Sequence, residues 1–262
     1  IINEGAFYNC DGLVSIKVPN SVTSIGSMIF YDNDALKSID FNCFAITEQT
    51  FYHCDSLEKV FMGDSVRSIG DIAFSYCKSL ESIIIPESVK LISESAFALC
   101  SSLTNLTLSD SFVDICDSAF SSCTSLKDLR IEDGETILAF DDQYPFNESP
   151  LENVYLGRNI GCDGSYTNVF KLFYNKQLLT SVMLGNNVTT IKKSTFYQCT
   201  GLTSVIIPNS VTSIELNAFT NCTNLKDIFY TSVTPPTSLW MVENTYVPNK
   251  EAYSKAKVSG GS

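Results

Sequence analysis

The chain has 262 residues, of which 44% are apolar and 18% are charged, and its formal net charge is −12. This composition predicts a packed core, and no apolar run reaches the roughly 18 residues that would predict a membrane-spanning helix. The acidic balance excludes nucleic acid as an expected partner, because that binding depends on Lys and Arg displacing the counterions of the phosphates.

The first residues, Ile1 to Cys10, have the pattern of the second half of a repeat. We therefore expect the chain to begin inside a larger repeat architecture. A signal peptide or an anchor is not expected within this segment, and neither is membrane insertion.

One leucine column runs through the chain at nearly regular spacing. Its members are Leu13, Leu36, Leu57, Leu80, Leu103, Leu126, Leu151, Leu179, Leu202 and Leu225. The spacings are 23, 21, 23, 23, 23, 25, 28, 23 and 23 residues. Repeats of this length predict a solenoid, in which each coil buries its apolar side chains only against its neighbours. We predict about ten coils over residues 1–230, with an irregular part at 131–179.

The clearest coil runs from Leu80 to Cys100 and recurs nearly intact from Leu202 to Cys222. Its Leu-x-x-Ile-x-Ile start predicts a short strand, which Pro86 would end, and Val-x-x-Ile predicts a second extended segment. The spacing of Ala-Phe-x-x-Cys is closer to that of a helical turn and predicts one α-helical or 3₁₀ turn in each coil. The expected fold class is therefore an α/β, β-rich solenoid with short strands and single helical turns.

The repeat pattern lapses after Tyr230. Thr234-Pro235-Pro236 and the only tryptophan, Trp240, come next, and a stretch from Glu251 to Ala256 has the composition of a short helix. We predict a C-terminal cap over residues 231–258, because a solenoid must cover its last coil, and a flexible tail at 259–262.

These motifs resemble the BspA-like (Treponema pallidum-type) leucine-rich repeats. The two coils quoted above, the Ala-Phe-x-x-Cys element and the Tyr-Val-Pro…Glu-Ala-Tyr ending are similar to that family over roughly residues 2–256. The resemblance implies a right-handed solenoid and an extracellular or cell-surface protein, usually of a host-associated bacterium, with a role in adhesion to host proteins or in cell–cell contact. The two long units between Ile131 and Leu179 depart from the pattern, and nothing is carried over to them.

Seven of the ten cysteines occupy one repeat column: Cys10, Cys54, Cys77, Cys100, Cys123, Cys199 and Cys222. Stacked coils place successive members about 5 Å apart with parallel side chains, an arrangement that favours neither a disulfide nor a converging zinc site. We predict buried free thiols, with a disulfide or a metal site as the alternative. Cys43, Cys116 and Cys162 lie off the column, and the pattern does not pair them.

His53 is the only histidine, and it adjoins Cys54. Neighbours in a chain generally point in different directions, and other coils place varied residues at the position of His53. We therefore interpret it as a solvated outer residue and not as half of a catalytic dyad. The chain has no phosphate-binding or hydrolase motif, and its acidic turns lack the spacing of a calcium loop, so we expect no cofactor, no metal and no enzymatic activity.

The residue after the first Ile of each strand should point outward, because side chains alternate along a strand. We call these ten positions the outer column: Lys17, Asp40, Phe61, Ile84, Thr107, Arg130, Tyr155, Met183, Ile206 and Phe229. Six of them are large and apolar or aromatic, whereas the column before it is polar. Such a surface is typical of protein binding, although the same residues could instead stabilise their own ladder.

We therefore predict a binding surface at Phe61, Ile84, Arg130, Tyr155, Met183, Ile206 and Phe229, with a further loop at Tyr144, Phe146 and Tyr166. The predicted function is non-enzymatic binding of a host or neighbouring-cell protein. We expect the chain to be a monomer. A passive spacer that holds other domains away from the cell envelope is the alternative hypothesis.

Overall fold

The computed structural model describes residues 1–112, 114–140, 144–161 and 172–231, together with the backbone of 244–246. The described residues form about nine turns of parallel β-solenoid, with coils of about 23 residues, so the predicted solenoid is confirmed. It divides into two compact units. The first consists of Ile1–Lys127 with Ala139–Ser149, and the second of Asp128–Leu138 with the described residues from Pro150 onward.

The described residues contain eighteen short strands. They are β1 (Ser15–Val18), β2 (Ser38–Phe41), β3 (Ala45–Ile46), β4 (Lys59–Met62), β5 (Ser68–Ile69), β6 (Leu91–Ile92), β7 (Asn105–Leu108), β8 (Asp114–Ile115), β9 (Asp128–Ile131), β10 (Leu138–Phe140), β11 (Asn153–Arg158), β12 (Ile160–Gly161), β13 (Ser181–Asn187), β14 (Thr190–Ile191), β15 (Ser204–Ile207), β16 (Ser213–Ile214), β17 (Asp227–Tyr230) and β18 (Asn244–Tyr246).

In the first unit, the two extended segments of each coil form two separate parallel ladders. The first segments pair as β1–β2–β4, with Ile16, Ile39 and Val60 in register. The second segments pair as β3–β5–β6–β8 and continue to the end of β10. Their register partners are Ile46, Ile69, Ile92, Ile115 and Phe140, all of them buried. Both of the strands that the repeat predicts are therefore present.

The coil that begins at Leu80 differs from its neighbours, because no strand forms between Leu80 and Pro86. Ile83 and Ile85 are nevertheless buried and Ile84 is exposed. The predicted alternation of side chains holds in this coil, whereas the predicted ladder does not.

In the second unit, β9, β11 and β13 pair in parallel with Leu129, Val154 and Val182 in register. The separations of 25 and 28 residues are the two long units of the sequence, so the extra residues leave the inward register intact. The pairing shifts only after Leu156. β14 pairs with β16, and β15 pairs with β17. β18 adds a parallel strand beside β17 within the segment for which a cap is predicted; the expected helix at 251–256 lies outside the described residues.

Phenylalanine rings stacked from coil to coil form the centre of the core. In the first unit the column is Phe7, Phe30, Phe51, Phe74, Phe97, Phe120 and Phe146, with ring centroids 4.9–5.6 Å apart. In the second unit Phe196 lies between Phe173 and Phe219, at 5.3 and 5.2 Å. These distances are close to the spacing of paired strands, so the backbone ladder places the rings in contact.

The predicted helical turn at Ala-Phe-x-x-Cys is wrong, because the described residues contain no helix there and form consecutive turns instead. In each coil the residue before the cysteine column has a left-handed backbone, as His53 does with φ of 56°. That conformation interrupts helical hydrogen bonding. Alternate N–H groups donate to the next coil instead: that of Phe51 to the Ala73 carbonyl at 2.7 Å and that of His53 to the Ser75 carbonyl at 3.1 Å.

Candidate protein-binding face

Most of the outer column is exposed, as the sequence predicts, whereas Asp40 and Tyr155 are half-buried. In the first unit Phe61 is 61% exposed and Ile84 is 84% exposed, and in the second unit the values are 63% for Met183, 58% for Ile206 and 41% for Phe229. Large apolar side chains this exposed are a cost in water unless they serve another contact. The outward orientation is confirmed, and the binding role remains a prediction.

Five outer-column residues of the second unit lie on strands that neighbour one another, and we call them the second-unit face: Arg130, Tyr155, Met183, Ile206 and Phe229. Tyr155 is the register partner of both Arg130 and Met183, and Ile206 is the register partner of Phe229. The strands β13 and β15 are also in contact. The face therefore combines an Arg–Tyr pair with three exposed apolar side chains.

Arg130 and Tyr155 are held in place by two carboxylates. The Arg130 guanidinium lies over the Tyr155 ring, 4.1 Å from its centroid, and donates to both oxygens of Glu132, at 2.8 and 3.0 Å. The Tyr155 hydroxyl donates to Asp133 at 2.7 Å. The hydrogen bond that Arg130 donates to Glu132 raises the pKa of Arg130. Burial and then the hydrogen bond to Asp133 raise the pKa of Tyr155.

Two glycines allow this arrangement. A Cβ on Gly157 would lie 2.5 Å from the Asp133 nitrogen. A Cβ on Gly185 would lie 2.9 Å from the Tyr155 hydroxyl oxygen and would overlap an Asp133 carboxylate oxygen. Because only a residue without a Cβ admits the Glu132–Asp133 turn so close to the strands, these glycines position the carboxylates of the face. Both directly follow a buried or half-buried Leu, and this Leu-Gly repetition is a signal that the sequence analysis did not use.

The sequence itself gives the family. The model of the BspA-type leucine-rich-repeat region matches six times, over residues 1–45, 44–170 and 169–238. The chain belongs to the BspA-type leucine-rich-repeat family. The resemblance in the sequence is thereby confirmed. No curated protein matches the sequence.

Several solved bacterial leucine-rich-repeat proteins are similar to this BspA-type chain. A leucine-rich cell surface protein from Faecalibacterium prausnitzii is 24% identical, with 87% of this chain and 76% of that chain covered and a TM-score of 0.42. The Treponema pallidum leucine-rich-repeat protein is 20% identical, with 72% of this chain and 78% of that chain covered and a TM-score of 0.45. A leucine-rich-repeat protein from Eubacterium ventriosum is 18% identical, with 91% of this chain and 82% of that chain covered and a TM-score of 0.47.

The structure of this BspA-type chain describes two residues of the loop predicted at Tyr144, Phe146 and Tyr166, namely Tyr144 and Phe146. Phe146 is buried and stacks on Phe120 at 5.6 Å, so it belongs to the core column, and its place on a binding loop was wrong. The spacing of 26 residues from Phe120 concealed this role in the sequence. Tyr144 is half-buried, and Tyr166 lies outside the described residues.

The cysteine column is a row of hydrogen-bond donors inside the coils. The thiols of Cys77, Cys100 and Cys123 each donate to the carbonyl of a phenylalanine in the preceding coil, at 3.1–3.2 Å. Ser149 takes the same position and donates to the Phe120 carbonyl at 2.8 Å, and Asn33 donates to the Phe7 carbonyl at 2.7 Å. The sequence analysis missed these last two members, because neither is a cysteine.

The cysteines of the column are free thiols, as predicted, and so is Cys43; Cys162 lies outside the described residues. Burial raises the pKa of Cys54 to about 12, and its thiol donates to the Phe30 carbonyl at 3.1 Å. His53 instead stacks on Tyr76, with ring centroids 4.3 Å apart. The two adjacent residues thus take part in separate sets of contacts.

Arg158 is a buried charge that sequence reasoning did not single out. Its side chain is fully buried at the end of β11 and donates to the Thr136 hydroxyl at 2.8 Å. Nothing in the local sequence distinguishes it from the exposed Arg130.

No group of three His, Cys, Asp or Glu side chains that could hold a metal ion occurs in the described part of the chain. The described residues also contain no helix that could span a membrane.

Proposed function

We propose that this chain binds another protein through the second-unit face, without catalysing a reaction. The observation that carries the proposal is the exposure of Met183, Ile206 and Phe229 on contacting strands, next to the ordered Arg130–Tyr155 pair. Exposed apolar residues that lie singly on a surface need no explanation, whereas a contiguous set on rigid strands is typical of a binding surface.

The composition of the face supports the same conclusion. Aromatic residues, Met and Arg are enriched at the centres of protein interfaces, and Tyr and Arg are among the residues that contribute most to binding. The Arg130 and Tyr155 side chains are already held by Glu132 and Asp133, so a partner would not have to order them. Such preorganisation lowers the entropy cost of association.

We infer from the family that the partner is a host or neighbouring-cell protein and that the chain acts outside the cell or on its surface. We propose that it works as a monomer, because association through its acidic outer faces would need charge compensation. A net charge of −12 supports a protein partner over nucleic acid. The first-unit residues Phe61 and Ile84 remain predicted members of the binding surface.

A passive spacer is the second candidate, and one observation favours it. Ile206 packs opposite Phe229, and Tyr155 packs opposite Met183, in parallel register. Cross-strand pairs of this kind stabilise a ladder by about 0.2–1 kcal/mol each without any partner. The spacer account predicts that the chain shows no saturable binding.

The experiment immobilises the chain and measures binding to solubilised basement-membrane extract by biolayer interferometry. We expect saturable binding that the combined change Met183→Ser, Ile206→Ser and Phe229→Ser weakens at least ~30-fold, since interface anchors contribute about 2 kcal/mol or more each. The matched control is Ile137→Ser, Leu178→Ser and Leu216→Ser, which alters three exposed apolar residues of the same unit outside the outer column.

The control variant should bind as the unchanged chain does, and both variants should melt within a few degrees of it. Equal loss of binding in both variants would contradict a role for this face. A drop in melting temperature confined to the outer-column variant, with binding retained, would assign these residues to the ladder alone.

A further inference from the structure

A second, chemically different surface lies on the turns of the first unit. Tyr8, Tyr31, Tyr52 and Tyr76 form a continuous series of ring contacts, which we call the tyrosine ladder. The centroid distances are 5.0, 4.9 and 5.6 Å. Tyr8, Tyr31 and Tyr52 directly follow core phenylalanines, and Tyr76 lies two residues after Phe74. All four are on turns, whereas the outer column lies on the first extended segment of each coil. The tyrosine ladder is therefore separate from the outer column of its own unit.

The rings of the tyrosine ladder do not cover each other completely. Tyr31 and Tyr52 are tilted by 36°, and Tyr52 meets Tyr76 nearly edge-on at 75°. Tyr8 is half exposed, and the other three rings are partly exposed. Within the described residues, the hydroxyls of these four tyrosines neither donate nor accept a hydrogen bond. Ring surface and hydroxyl groups are therefore available to a ligand.

Carboxylates flank the tyrosine ladder. Asp32 lies close enough to Tyr31 for its negative charge to add to the burial that raises the pKa of that phenol. The charges of Asp34, Asp55 and Asp32 all act on the nearby Cys54 thiol. Asp32 and Asp34 have no ion pair within the described part of the chain. Three carboxylates thus lie near the aromatic rings. The Lys78 ammonium pairs with Asp55, and the charge of Asp34 also raises the pKa of Lys78, so Asp32 is the one of the three that interacts with no cation in the described residues.

The chain itself shows which group this combination holds. At the end of the ladder, the Lys78 ammonium lies 5.6 Å from the Tyr76 ring centroid and pairs with Asp55 at 2.6 Å. In the second unit, Arg130 is held in the same way by the Tyr155 ring and by Glu132. In both places a cation lies on a tyrosine and pairs with a carboxylate. The tyrosine ladder offers the same two groups at Tyr31 and Asp32, where the described part of the chain places no cation.

We propose that the tyrosine ladder, with Asp32 and Asp34, binds an arginine-rich segment of a partner protein. Arginine fits better than lysine because its planar guanidinium stacks on an aromatic ring and pairs with a carboxylate through two hydrogen bonds. Charge complementarity favours this ligand, because the surface is acidic and the chain carries −12 overall. The rungs recur every 21–24 residues along the chain but lie about 5 Å apart in space, so one peptide can contact neighbouring rungs at the same time.

A neutral sugar is the other ligand that aromatic rings commonly take, and the structure favours it less. A neutral sugar can form no ion pair with the carboxylates beside the rings, whereas a guanidinium can. The experiment separates the two ligands.

The test titrates an acetylated hexa-arginine amide into the chain by isothermal titration calorimetry in low and moderate salt. We expect saturable binding that weakens as salt rises. The pair Asp32→Asn and Asp34→Asn should weaken binding ~10-fold, and Tyr31→Leu should weaken it ~3-fold, as expected for exposed ion pairs and cation–π contacts. Tyr31→Phe keeps the ring and should bind nearly as the unchanged chain does.

The matched control is Asp64→Asn with Glu81→Gln, which removes the same charge from exposed positions of the same unit. It should change the dissociation constant by less than about twofold. Equal weakening by the two pairs would mean attraction to overall charge only and would overturn the proposal. So would saturable binding of maltohexaose, lost on Tyr31→Leu, without binding of hexa-arginine. Circular dichroism checks that each variant is folded, and the aspartate pair does not depend on the core.

Discussion

The guanidinium of Arg130 lies 4.1 Å from the centre of the Tyr155 ring, on neighbouring strands of the second unit. The two residues are 25 positions apart in the chain and occupy the same place in successive coils. Glu132 holds the guanidinium through two hydrogen bonds, and Asp133 accepts a hydrogen bond from the phenol. An exposed contact of this kind contributes about 0.5–1 kcal/mol. Its larger effect is to fix two side chains that protein interfaces commonly use.

Gly185→Ala tests how the face is positioned. The added Cβ would overlap an Asp133 carboxylate oxygen and would lie 2.8 Å from the Gly157 Cα and 2.9 Å from the Tyr155 hydroxyl oxygen. Asp133 would therefore have to move. We expect the free energy of unfolding to fall by about 1–3 kcal/mol, as is usual for overpacked sites. Urea unfolding measures this change.

Gly12→Ala is the control for that substitution, because a Cβ there meets no atom within 4 Å. It should leave stability unchanged or raise it by up to about 1 kcal/mol, since alanine restricts the unfolded chain. Equal effects of the two substitutions would show that the Glu132–Asp133 turn does not need the glycine.

Phe97→Ala tests the core column. Phe97 is fully buried between Phe74 and Phe120, at 5.0 and 5.1 Å, and its loss should cost about 3–5 kcal/mol. Phe61→Ala removes a ring of the same size from the outer column and should cost less than about 1 kcal/mol. Urea midpoints of the two variants check the difference. A similar loss at both positions would mean that the outer column is also part of the structural core.

Alkaline pH should destabilise the chain through its buried thiols. Burial raises the pKa of Cys123 to about 12, and the pKa of Cys100 also lies well above the ordinary value of 9.0. The unfolded chain therefore loses these protons first. The stabilisation is fully present below about pH 9 and is lost as pH rises towards 12, by up to about 1.4 kcal/mol per pH unit for each thiol.

Cys100→Ser isolates one thiol in that titration. Serine keeps a donor in the column, as Ser149 shows, but does not ionise in this range. Between pH 9 and 10.5, the free energy of unfolding should fall less steeply in the variant, by about 1 kcal/mol per pH unit. Lys and Tyr side chains titrate equally in both proteins, so their contributions to the pH dependence cancel in the comparison. Parallel pH profiles would show that Cys100 ionises freely in the folded chain.

The inward and outward columns could be predicted from the sequence, because strand alternation fixes both at once. Ile83 and Ile84 illustrate this, since one is buried and the other is exposed even where no strand forms. The turns could not be predicted. A left-handed backbone occurs at His53, Tyr76 and Leu99, and these unlike side chains give no common signal.

The long units were the other part that the sequence could not determine. Phe146 looked like a loop residue because its spacing from Phe120 differs from the usual 23, yet the extra residues leave the ring in the core column. The carboxylates at Glu132 and Asp133 looked like a solvated acidic turn. Only their distances to Arg130 and Tyr155 show that they order the candidate face.

Methionine oxidation tests the proposed binding surface most directly. Met183 is 63% exposed at the centre of the second-unit face, and Met28 is a partly buried residue of the first unit that serves as the internal control. Hydrogen peroxide is applied to the free chain and to the chain saturated with basement-membrane extract, and mass spectrometry follows each methionine. We predict that oxidation of Met183 slows at least ~5-fold on binding, while that of Met28 is unchanged. Saturated binding that leaves the oxidation rate of Met183 unaltered would contradict the account.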